Sequence, residues 1–374
     1  MIDFEFDEQH ERIAQTARDF FAEHMPRSRV REVEESELGY APDLWRAMAK
    51  LDWPGHAYPE AYGGSEGTLY DLFAIYAEMG RAIAATPHLA SAVIAGETLV
   101  AAGSDAQKQR LLPAMVRGET LVAPALIEPD GRHIPAAVQL TANQQGSGYR
   151  LEGSKILVPY AHEASELLVS ARTGAAPDAI SLFLIDAGAP GIRIERLANT
   201  GGQPLCAVQF EGATTAPQAM VGEKDRGWSA LAPVLDRASL LQCAEIIGGG
   251  EVILDIAVQY ALDREQFGTP IGRFQAVQFL CSDIAIDLHL TGLLARKAAW
   301  HMQTGRPYRR ELAIANARAR HAAQHMVRQA HEVLAGHGFM LENDLQLFMR
   351  RAKHWEFNLG DLREHRDAIV SALG

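Results

Sequence analysis

Cysteine and clustered positive charge are both scarce in this sequence, and each shortage excludes a class of protein. The three cysteines, Cys206, Cys243 and Cys281, are far apart in a chain of 374 residues, and no CxxC or Cys/His cluster is present. They predict free thiols in a reducing compartment and no metal site. The net charge of -12 opposes general binding of nucleic acid or anionic lipid, because nothing offsets the phosphate charge.

Targeting and nucleotide-binding signals are missing as well. The first residues, MIDFEFDEQHERIAQ, lack the basic and apolar regions of a signal peptide, and by inspection no apolar run reaches the length of a membrane span. No P-loop is present, and no GxGxxG follows a predicted strand. We expect a cytoplasmic protein that acts without a membrane or a nucleic acid.

Hydrophobic periodicity divides the chain into three parts, and its length is enough for two or three domains. Residues 1–119 carry helical patterns, residues 120–225 carry short β-like runs separated by turns, and residues 226–374 return to long helical patterns. The last part holds four long helical segments joined by short loops, which is typical of an up-and-down bundle. The predicted fold is α+β: an N-terminal helical domain, a middle antiparallel β domain and a C-terminal four-helix bundle.

The stretch YALDREQFGTPIGRFQ, residues 260–275, carries the clearest local chemistry. Arg264 falls in the last turn of one predicted helix, Gly268–Pro270 make a turn, and Gln275 begins the next helix. An arginine beside a backbone turn offers bidentate, charge-assisted bonds to a diphosphate. The alternative, which the residues alone favour, is a helix-end arginine that pairs with an acid or offsets the helix dipole.

Four stretches, in this order along the chain, resemble the acyl-CoA dehydrogenase family. They are LDWPGHAYPEAYGG, QKQRLLPAMVRGE, YALDREQFGTPIGRFQAVQF and AGHGFMLENDLQLFMRRAK. The resemblance covers nearly the whole chain and implies the family's helical, β and helical domain order. It also implies FAD as the cofactor, an acyl-CoA thioester as the substrate, and electron-transfer flavoprotein as the usual electron acceptor.

In this family FAD lies at a subunit interface, and one chain reaches across to the diphosphate and adenine of its neighbour's FAD. By this resemblance the cross-subunit positions are Arg264, Phe267, Gln275 and Gly336, and all four are of the expected residue type. Glu332 departs from the family, which often has glutamine there. A carboxylate only accepts hydrogen bonds, and it repels a nearby diphosphate.

The positions that serve a chain's own flavin depart further from the family. Ile127 precedes Glu128–Pro129, where a small polar residue is usual, and no serine follows. The family's Lys-x-Trp-Ile-Thr-Asn stretch, whose tryptophan packs on the flavin and whose threonine bonds near N5, becomes Lys155-Ile-Leu-Val-Pro-Tyr. Leu157 thus replaces the tryptophan, and Pro159, which has neither a hydroxyl nor an N–H, replaces the threonine.

The catalytic base is also missing from both places where the family has it. The reaction needs a carboxylate to take the α-proton of the thioester while hydride leaves the β-carbon. The late position is Leu359 and the earlier one is Ala238, and Ser239 stands where an arginine that contacts CoA is expected. Three acids lie nearest in sequence and are candidates for a displaced base: Asp236, Glu245 and Glu356. Each also has a purely structural explanation: Asp236 as a helix cap or an ion-pair partner of Arg237, Glu245 as a polar position in a long helix, and Glu356 as a solvated charge.

This pattern of loss is similar to that of bacterial steroid-degrading acyl-CoA dehydrogenases. Those enzymes are α2β2 heterotetramers in which one subunit type carries the base and the other completes FAD binding. The resemblance predicts a partner-type subunit, and a steroid side-chain CoA or another bulky acyl-CoA as the substrate of the assembly. Two alternatives stay open: an active homo-oligomer with a displaced base, and a flavin-free structural protein of the same fold.

Overall fold

The computed structural model describes residue 4 and residues 6–372. The chain begins with a helical part in which amphipathic segments bury their apolar faces against one another. Three of its helices start at capping boxes formed by Asp7, Thr68 and Ser104, which satisfy the first backbone N–H groups. The helices are α1 (Glu8–His24), α2 (Arg27–Glu35), α3 (Pro42–Ala49), α4 (Leu69–Ala82), α5 (Glu97–Ala102) and α6 (Asp105–Val116).

The apolar stretch before α5 differs from the regular helix that its sequence predicts. Residues His88–Gly96 form a π-helix, which then continues into α5. Its side chains are almost all buried, and the Tyr58 hydroxyl donates a hydrogen bond to the carbonyl of Ala92 at 2.6 Å. A wider helical turn is costly in isolation, so tertiary packing sustains it here.

The middle part is one sheet of eight strands. The strands are β1 (Val122–Ala125), β2 (Thr141–Gln145), β3 (Gly148–Pro159), β4 (Glu166–Arg172), β5 (Ile180–Asp186), β6 (Ile192–Leu197), β7 (Leu205–Thr215) and β8 (Met220–Val221). Their order is β6-β7-β3-β2-β4-β5-β8, with β1 beside β4. The prediction of a purely antiparallel sheet needs a correction, because β1 and β2 each pair with β4 in parallel. These strands are far apart in sequence, so their direction depends on long connections rather than on local turns.

A buried ion pair fixes the loop that follows β1. Lys155, on β3, donates to the Glu128 carboxylate at 2.7 Å and to the Ser170 hydroxyl at 3.0 Å. The same carboxylate accepts the backbone N–H groups of Gln139 and Leu140. A buried charge is stable only when it is paired and hydrogen-bonded, and this set positions the loop at residues 128–140 beside the last helical part.

The described residues of the last part contain five α-helices rather than the four long helices that the periodicity predicts. They are α7 (Gly227–Asp263), α8 (Gln275–Gln303), α9 (Arg309–Leu334), α10 (Leu345–Phe357) and α11 (Leu362–Ser371). A hairpin of β9 (Glu265–Gln266) and β10 (Thr269–Pro270) joins α7 to α8. The helical, β and helical architecture is confirmed. The additional helix α11 begins at an Asp361 capping box, and hydrophobic periodicity does not predict it because the segment is short and polar.

Helix α8 is the single helix in the described part of the chain that is long and apolar enough to cross a membrane by length and composition. The sequence predicted no apolar run of this length, and that prediction is corrected here; α8 contains two aspartates, Asp283 and Asp287. One of them, Asp287, is buried and forms ion pairs with Arg318 and His325 of α9. The outer side of α8 carries Phe279, Ile286, Leu290 and Leu293, each at least 41% exposed; we call these four residues the α8 stripe. One such helix is weak support for a membrane span.

Candidate functional site

A cavity of about 550 Å³ lies where the loop after β1 meets α7, α9 and α11. This volume is in the range of small-molecule sites in proteins. The cavity is lined by His133, Ile134, Trp228, Ser229, Ala232, Leu235, Asp236, Ser239, Arg309, Leu312, Ala313, Asn316, Leu359, Gly360, Glu364, His365 and Ala368.

The two positions expected for a catalytic base lie at or beside this cavity. Leu359 lines it directly, with a left-handed backbone (φ 58°) that is unusual for a branched residue. Ala238 is fully buried, and its neighbour Ser239 lines the cavity. Neither Leu359 nor Ala238 can accept a proton, so proton abstraction at these two places is excluded by the residue types themselves.

Asp236 is one of the two carboxylates in the cavity wall. Its Oδ2 accepts a hydrogen bond from the Tyr308 hydroxyl at 3.0 Å and lies 3.8 Å from the Arg309 guanidinium. Burial raises the pKa of Asp236 above its usual value, while the Tyr308 bond and the Arg309 charge oppose that rise. A half-buried carboxylate with a raised pKa is the chemistry expected of a general base, and Asp236 has access to the cavity.

The other candidate acids lie elsewhere. Glu245 is buried in the helical core, where it accepts the Trp355 indole N–H at 3.1 Å, and it does not line the cavity. Burial raises its pKa to about 7, against the opposing effects of Arg351 and the Trp355 bond. Glu356 pairs with Lys353 at 2.8 Å. The structure therefore brings Asp236 into the cavity and keeps Glu245 out of it.

A buried arginine occupies the wall behind the missing base. Arg320 is 1% exposed and donates to the side-chain oxygens Asn316 Oδ1 at 2.7 Å and Gln242 Oε1 at 2.9 Å, and to the Cys243 Sγ at 3.7 Å. It also donates to the backbone carbonyls of Asn358 at 3.1 Å and Gly360 at 3.4 Å. Within the described residues no carboxylate lies within ion-pair distance of Arg320. Its hydrogen bonds thus fix the backbone on both sides of residue 359.

The residues expected to hold a flavin within the same chain do not fit it. Leu157 sits at a bulge of β3 with a left-handed backbone (φ 52°), and Pro159 is paired with Leu205 inside the sheet. The carbonyl of Ile127 already accepts the N–H of Ile156 at 2.8 Å. Leu157 and Pro159 offer no side-chain donor at the places where the family has one, and Pro159 has no backbone N–H.

An acid from α11 bonds to the backbone of the loop after β1, where the family has a Gly/Ser-rich loop. The Glu364 carboxylate, from α11, accepts the backbone N–H of His133 at 3.1 Å. A second oxygen of the same carboxylate accepts the N–H of Asp361 at the start of α11. Because the Glu364 carboxylate already accepts this backbone N–H and is negatively charged, it repels a diphosphate at this loop.

The four residues expected to reach a neighbour's FAD lie at one end of the bundle. Arg264 ends α7 and Gln275 begins α8, with the β9–β10 hairpin between them. The backbone N–H of Arg264 donates to the backbone carbonyl of Tyr260. The ring of Tyr260 stacks on that of His337, with 5.5 Å between the ring centroids. This stacking brings the turn that holds Gly336 to the same end of the helices as Arg264.

All four of these residues face solvent. Phe267 is 91% exposed with a left-handed backbone (φ 55°), and its ring is 6.1 Å from that of Phe274. Within the described chain, the side chains of Arg264 and Gln275 make no hydrogen bond or ion pair. A Cβ built on Gly336 would meet no atom within 4 Å. Glu332, the residue that departs from the family, is also exposed. An unpaired guanidinium beside an open turn fits a diphosphate from outside the chain.

Sequence reasoning missed most of the polar residues around the cavity. His133, His365, Tyr308 and Arg320 come from three separate segments, since Tyr308 caps the start of α9 and Arg320 lies within it, and no local pattern links the three segments. One signal was available: Asn316 and Arg320 are polar residues one helical turn apart on the apolar side of α9. A polar pair within an apolar helical face indicates a buried hydrogen-bond network.

Comparison with known families finds matches along nearly the whole chain. The models for the N-terminal, middle and C-terminal domains of acyl-CoA dehydrogenases match residues 7–119, 123–213 and 225–373.

Three individual relatives illustrate the similarity. The cyclohex-1-ene-1-carbonyl-CoA dehydrogenase of Geobacter metallireducens is 31% identical over 336 residues, which is 87% of each protein. The ChsE4-ChsE5 complex from Mycobacterium tuberculosis contains a chain that is 27% identical, with a TM-score of 0.90 and coverage of 100% of this chain and 99% of that one. A chain of the Tcur3481-Tcur3483 steroid ACAD is 29% identical, with a TM-score of 0.87 over 98% of both chains.

Proposed function

The chain belongs to the acyl-CoA dehydrogenase family, and on that premise we propose that it is a subunit that completes the FAD site of a neighbouring, catalytic subunit. The family's enzymes are FAD-dependent oxidoreductases that act on CH–CH bonds. Bound FAD supplies the hydride-accepting ring for that chemistry. The proposed contribution of this chain is binding and orientation rather than proton abstraction.

The observation that carries this proposal is the contrast between two sets of residues. Arg264 and Gln275 are exposed and unpaired at an open bundle end, as a group that binds a ligand from outside requires. Leu157, Pro159 and Leu359, which would serve the chain's own flavin and substrate, lack the necessary donors and the base. A chain that had lost all function would have no reason to keep one set and lose the other.

In the proposed site each residue has a separate task. The Arg264 guanidinium would hold the diphosphate of FAD through charge-assisted hydrogen bonds, and the Gln275 amide would add a neutral donor at the start of α8. Gly336 leaves room for close approach, because no side chain fills its turn. Phe267, which is exposed beside Arg264, would cover an apolar part of the cofactor and shield the charged contacts from water.

The assembly that we propose is a heteromer of two homologous chains. One chain of the ChsE4-ChsE5 complex is similar to this chain along its whole length, and so is one chain of the Tcur3481-Tcur3483 steroid ACAD. By that analogy we propose a steroid side-chain CoA or another bulky acyl-CoA as the substrate, with electron-transfer flavoprotein as the acceptor, in the cytoplasm. We also propose domains at 1–119, 120–225 and 226–374, supported by the change from α6, which ends at Val116, to β1, which begins at Val122.

Co-purification tests the division of labour. The chain purified alone should be colourless and inactive, and co-expression with a base-carrying homologue should give a yellow complex that reduces a dye in the presence of acyl-CoA. Flavin absorbance together with activity in the chain alone would contradict the proposal. No flavin under either condition would favour a flavin-free structural protein instead.

Substitution of Arg264 tests the proposed contact directly. Arg264→Ala should lower the affinity of the complex for FAD, since a charge-assisted bidentate contact is worth about 1.5–3 kcal/mol, or roughly 10- to 100-fold in affinity. Arg226→Ala is the matched control, because Arg226 is an exposed arginine at the opposite end of α7. FAD occupancy, read from the flavin-to-protein absorbance ratio after dialysis, should fall only in Arg264→Ala, and equal occupancy in the two variants would refute the assignment.

A second function is favoured by the position of Asp236. Its carboxylate lines the cavity, and burial raises its pKa. If the chain is an active homo-oligomer with a displaced base, Asp236→Asn should lower kcat by roughly 100-fold or more, with a smaller change in KM. Under the leading proposal Asp236→Asn leaves the activity of the heteromer nearly unchanged, so a single rate measurement separates the two functions.

A further inference from the structure

The outward face of α8 has the residue spacing of a coiled-coil seam. Its exposed residues follow one another at alternating intervals of four and three positions: Phe279, Asp283, Ile286, Leu290 and Leu293. These are the d, a, d, a and d positions of a heptad pattern, which places all five side chains on the side of a helix that packs against a second helix. We call these five residues the α8 seam, and all of them face solvent in the single chain.

The opposite side of α8 is already occupied by its own chain. Ile284, Thr291, Ala295 and Ala298 are buried on that side, where α8 packs against α7 and α9. The helix is therefore apolar on two sides, and only one of them is covered. A helix that is apolar on both sides is typically buried on both, so the α8 seam is suited to a helix from another chain.

Asp283 places a charge within this apolar seam. Its Oδ2 accepts one hydrogen bond, from the Gln329 amide at 3.3 Å, and in the described part of the chain no basic side chain forms an ion pair with it. Asp287, one turn further on, differs because it is buried and paired with Arg318 and His325. A carboxylate that a second helix covers is costly unless that helix supplies a cation. A polar residue at an a position therefore determines which helices can pair.

A second copy of α8 does not supply that cation. In parallel pairing about a two-fold axis, a positions meet a positions, so Asp283 lies against its own copy and the like charges repel each other. In antiparallel pairing Asp283 lies beside an apolar residue of the α8 stripe and loses water without gaining a partner. Lys297, at the next a position beyond the α8 seam, is partly buried and lies 4.0 Å from the Glu311 carboxylate of its own chain.

We infer that the α8 seam pairs with a helix of a non-identical chain that carries a lysine or arginine opposite Asp283, and that Asp283 selects this chain over a second copy. The apolar residues on both sides of Asp283 exclude water from the ion pair and so strengthen it. Against a second copy the same carboxylate acts as a repulsive element. That the non-identical chain is the catalytic subunit rests on the proposed function, whereas the charge selection follows from the surface of α8 itself.

Sedimentation equilibrium of the chain alone tests the selection against self-pairing. Asp283→Leu completes the apolar seam and should strengthen self-association at least about tenfold over the wild type, because a buried leucine replaces a charge. Two variants are matched controls that should change nothing. Ala285→Leu adds a leucine at an exposed position of α8 outside the α8 seam, and Glu60→Leu removes an exposed charge from the N-terminal part. Equal self-association of Asp283→Leu and the wild type would overturn the inference.

Assembly with a co-expressed, base-carrying homologue tests the partner's cation. Asp283→Asn keeps the size of the side chain and should weaken the complex about tenfold or more, because it leaves a covered cation without its counterion. Asp283→Lys should weaken the complex further, since two cations then meet. Glu60→Gln is the matched control and should leave assembly unchanged. A complex that is as tight with Asp283→Asn as with the wild type would refute a cation at this place.

Failure of this inference and failure of the proposed function are distinguishable. The self-association of Asp283→Leu needs neither FAD nor a partner, so it decides on the α8 seam even if the homologue forms no complex. The FAD occupancy of the complex reports separately on Arg264. Wild-type chain that dimerises through α8 as tightly as Asp283→Leu would identify a second copy as the occupant and overturn the selection.

Discussion

Single residues decide which chemistry remains available to this chain. Leu359 and Ala238 remove the two family positions for a base, while Arg320 holds the backbone around residue 359 with bonds to the carbonyls of Asn358 and Gly360. The effect reaches beyond the loss of a carboxylate. An acid restored at 359 would lie near a buried guanidinium, which lowers a carboxyl pKa and weakens it as a base.

Glu245 gives the chain a pH-dependent stability that can be measured. Burial raises its pKa to about 7 from the usual 4.5, so the folded chain holds this proton more tightly than the unfolded chain. The resulting stabilisation is complete below about pH 4.5 and is lost as the pH rises through about 7. Glu245→Gln keeps an acceptor for Trp355 and should exceed the wild type at pH 8 by up to about 3 kcal/mol in free energy of unfolding.

Urea denaturation at pH 5 and pH 8 tests this expectation. The advantage of Glu245→Gln should be small at pH 5, where the wild-type carboxyl is largely protonated in the folded state, and large at pH 8. Glu60→Gln, at an exposed position, should show the same small difference at both pH values. An advantage that does not grow with pH would show that Glu245 has an ordinary pKa.

At the scale of elements, the crossing of α4 and α7 joins the first and last helical parts. The two helices approach so closely that a Cβ built on Gly248 would lie 1.7 Å from the carbonyl oxygen of Ala77. A Cβ on Gly80 would lie 2.0 Å from that of Glu245. Contacts this short are impossible with a side chain, so the close crossing explains why α4 has a glycine at Gly80 and α7 has one at Gly248, although glycine weakens isolated helices.

Gly248→Ala should therefore destabilise the chain. We expect a loss of roughly 1–3 kcal/mol in free energy of unfolding, because the new methyl group forces the helices apart. Gly336→Ala is the matched control, since nothing lies within 4 Å of the added Cβ. Thermal unfolding should show a lower midpoint for Gly248→Ala alone, and equal midpoints would mean that the crossing tolerates a shift.

At the scale of the whole molecule, exposed apolar surface is concentrated on the C-terminal helices. The α8 stripe of Phe279, Ile286, Leu290 and Leu293 faces solvent in the single chain. Phe339 and Leu341, beside the turn that holds Gly336, are also more than half exposed. Contiguous apolar surface of this kind is typical of a subunit interface, and it lies on the same helices as the proposed FAD contacts.

Leu290→Glu should weaken the assembly of the chain with its partner or with itself. Replacing the leucine with a carboxylate removes about 2 kcal/mol of apolar burial from the free energy of association, or roughly 30-fold in affinity. The cost of burying the charge adds to this loss. Leu51→Glu is a close control, because Leu51 is exposed to the same 41% on the N-terminal part. Sedimentation velocity should show smaller species for Leu290→Glu alone, and unchanged assembly would exclude the α8 stripe from the interface.

The sequence by itself determined the order of helical and β parts and the family. Helical periodicity and strand alternation are local properties, and they record which faces of each segment are buried. Motifs such as YALDREQFGTPIGRFQ are contiguous as well, so Arg264 and Gln275 could be selected before any contact was known. The absence of a base at Ala238 and Leu359 was equally readable, because it needs only residue types.

Only the tertiary structure decided which polar groups meet. Asp236 and Glu245 are similar candidates in sequence, yet one lines the cavity and the other bonds to Trp355 in the core. Their difference depends on the direction of each side chain around α7 and on what packs there from α9 and α10. The polar lining of the cavity joins residues more than 200 positions apart, His133 and His365 among them. No local pattern encodes such a meeting, because long-range packing alone sets it.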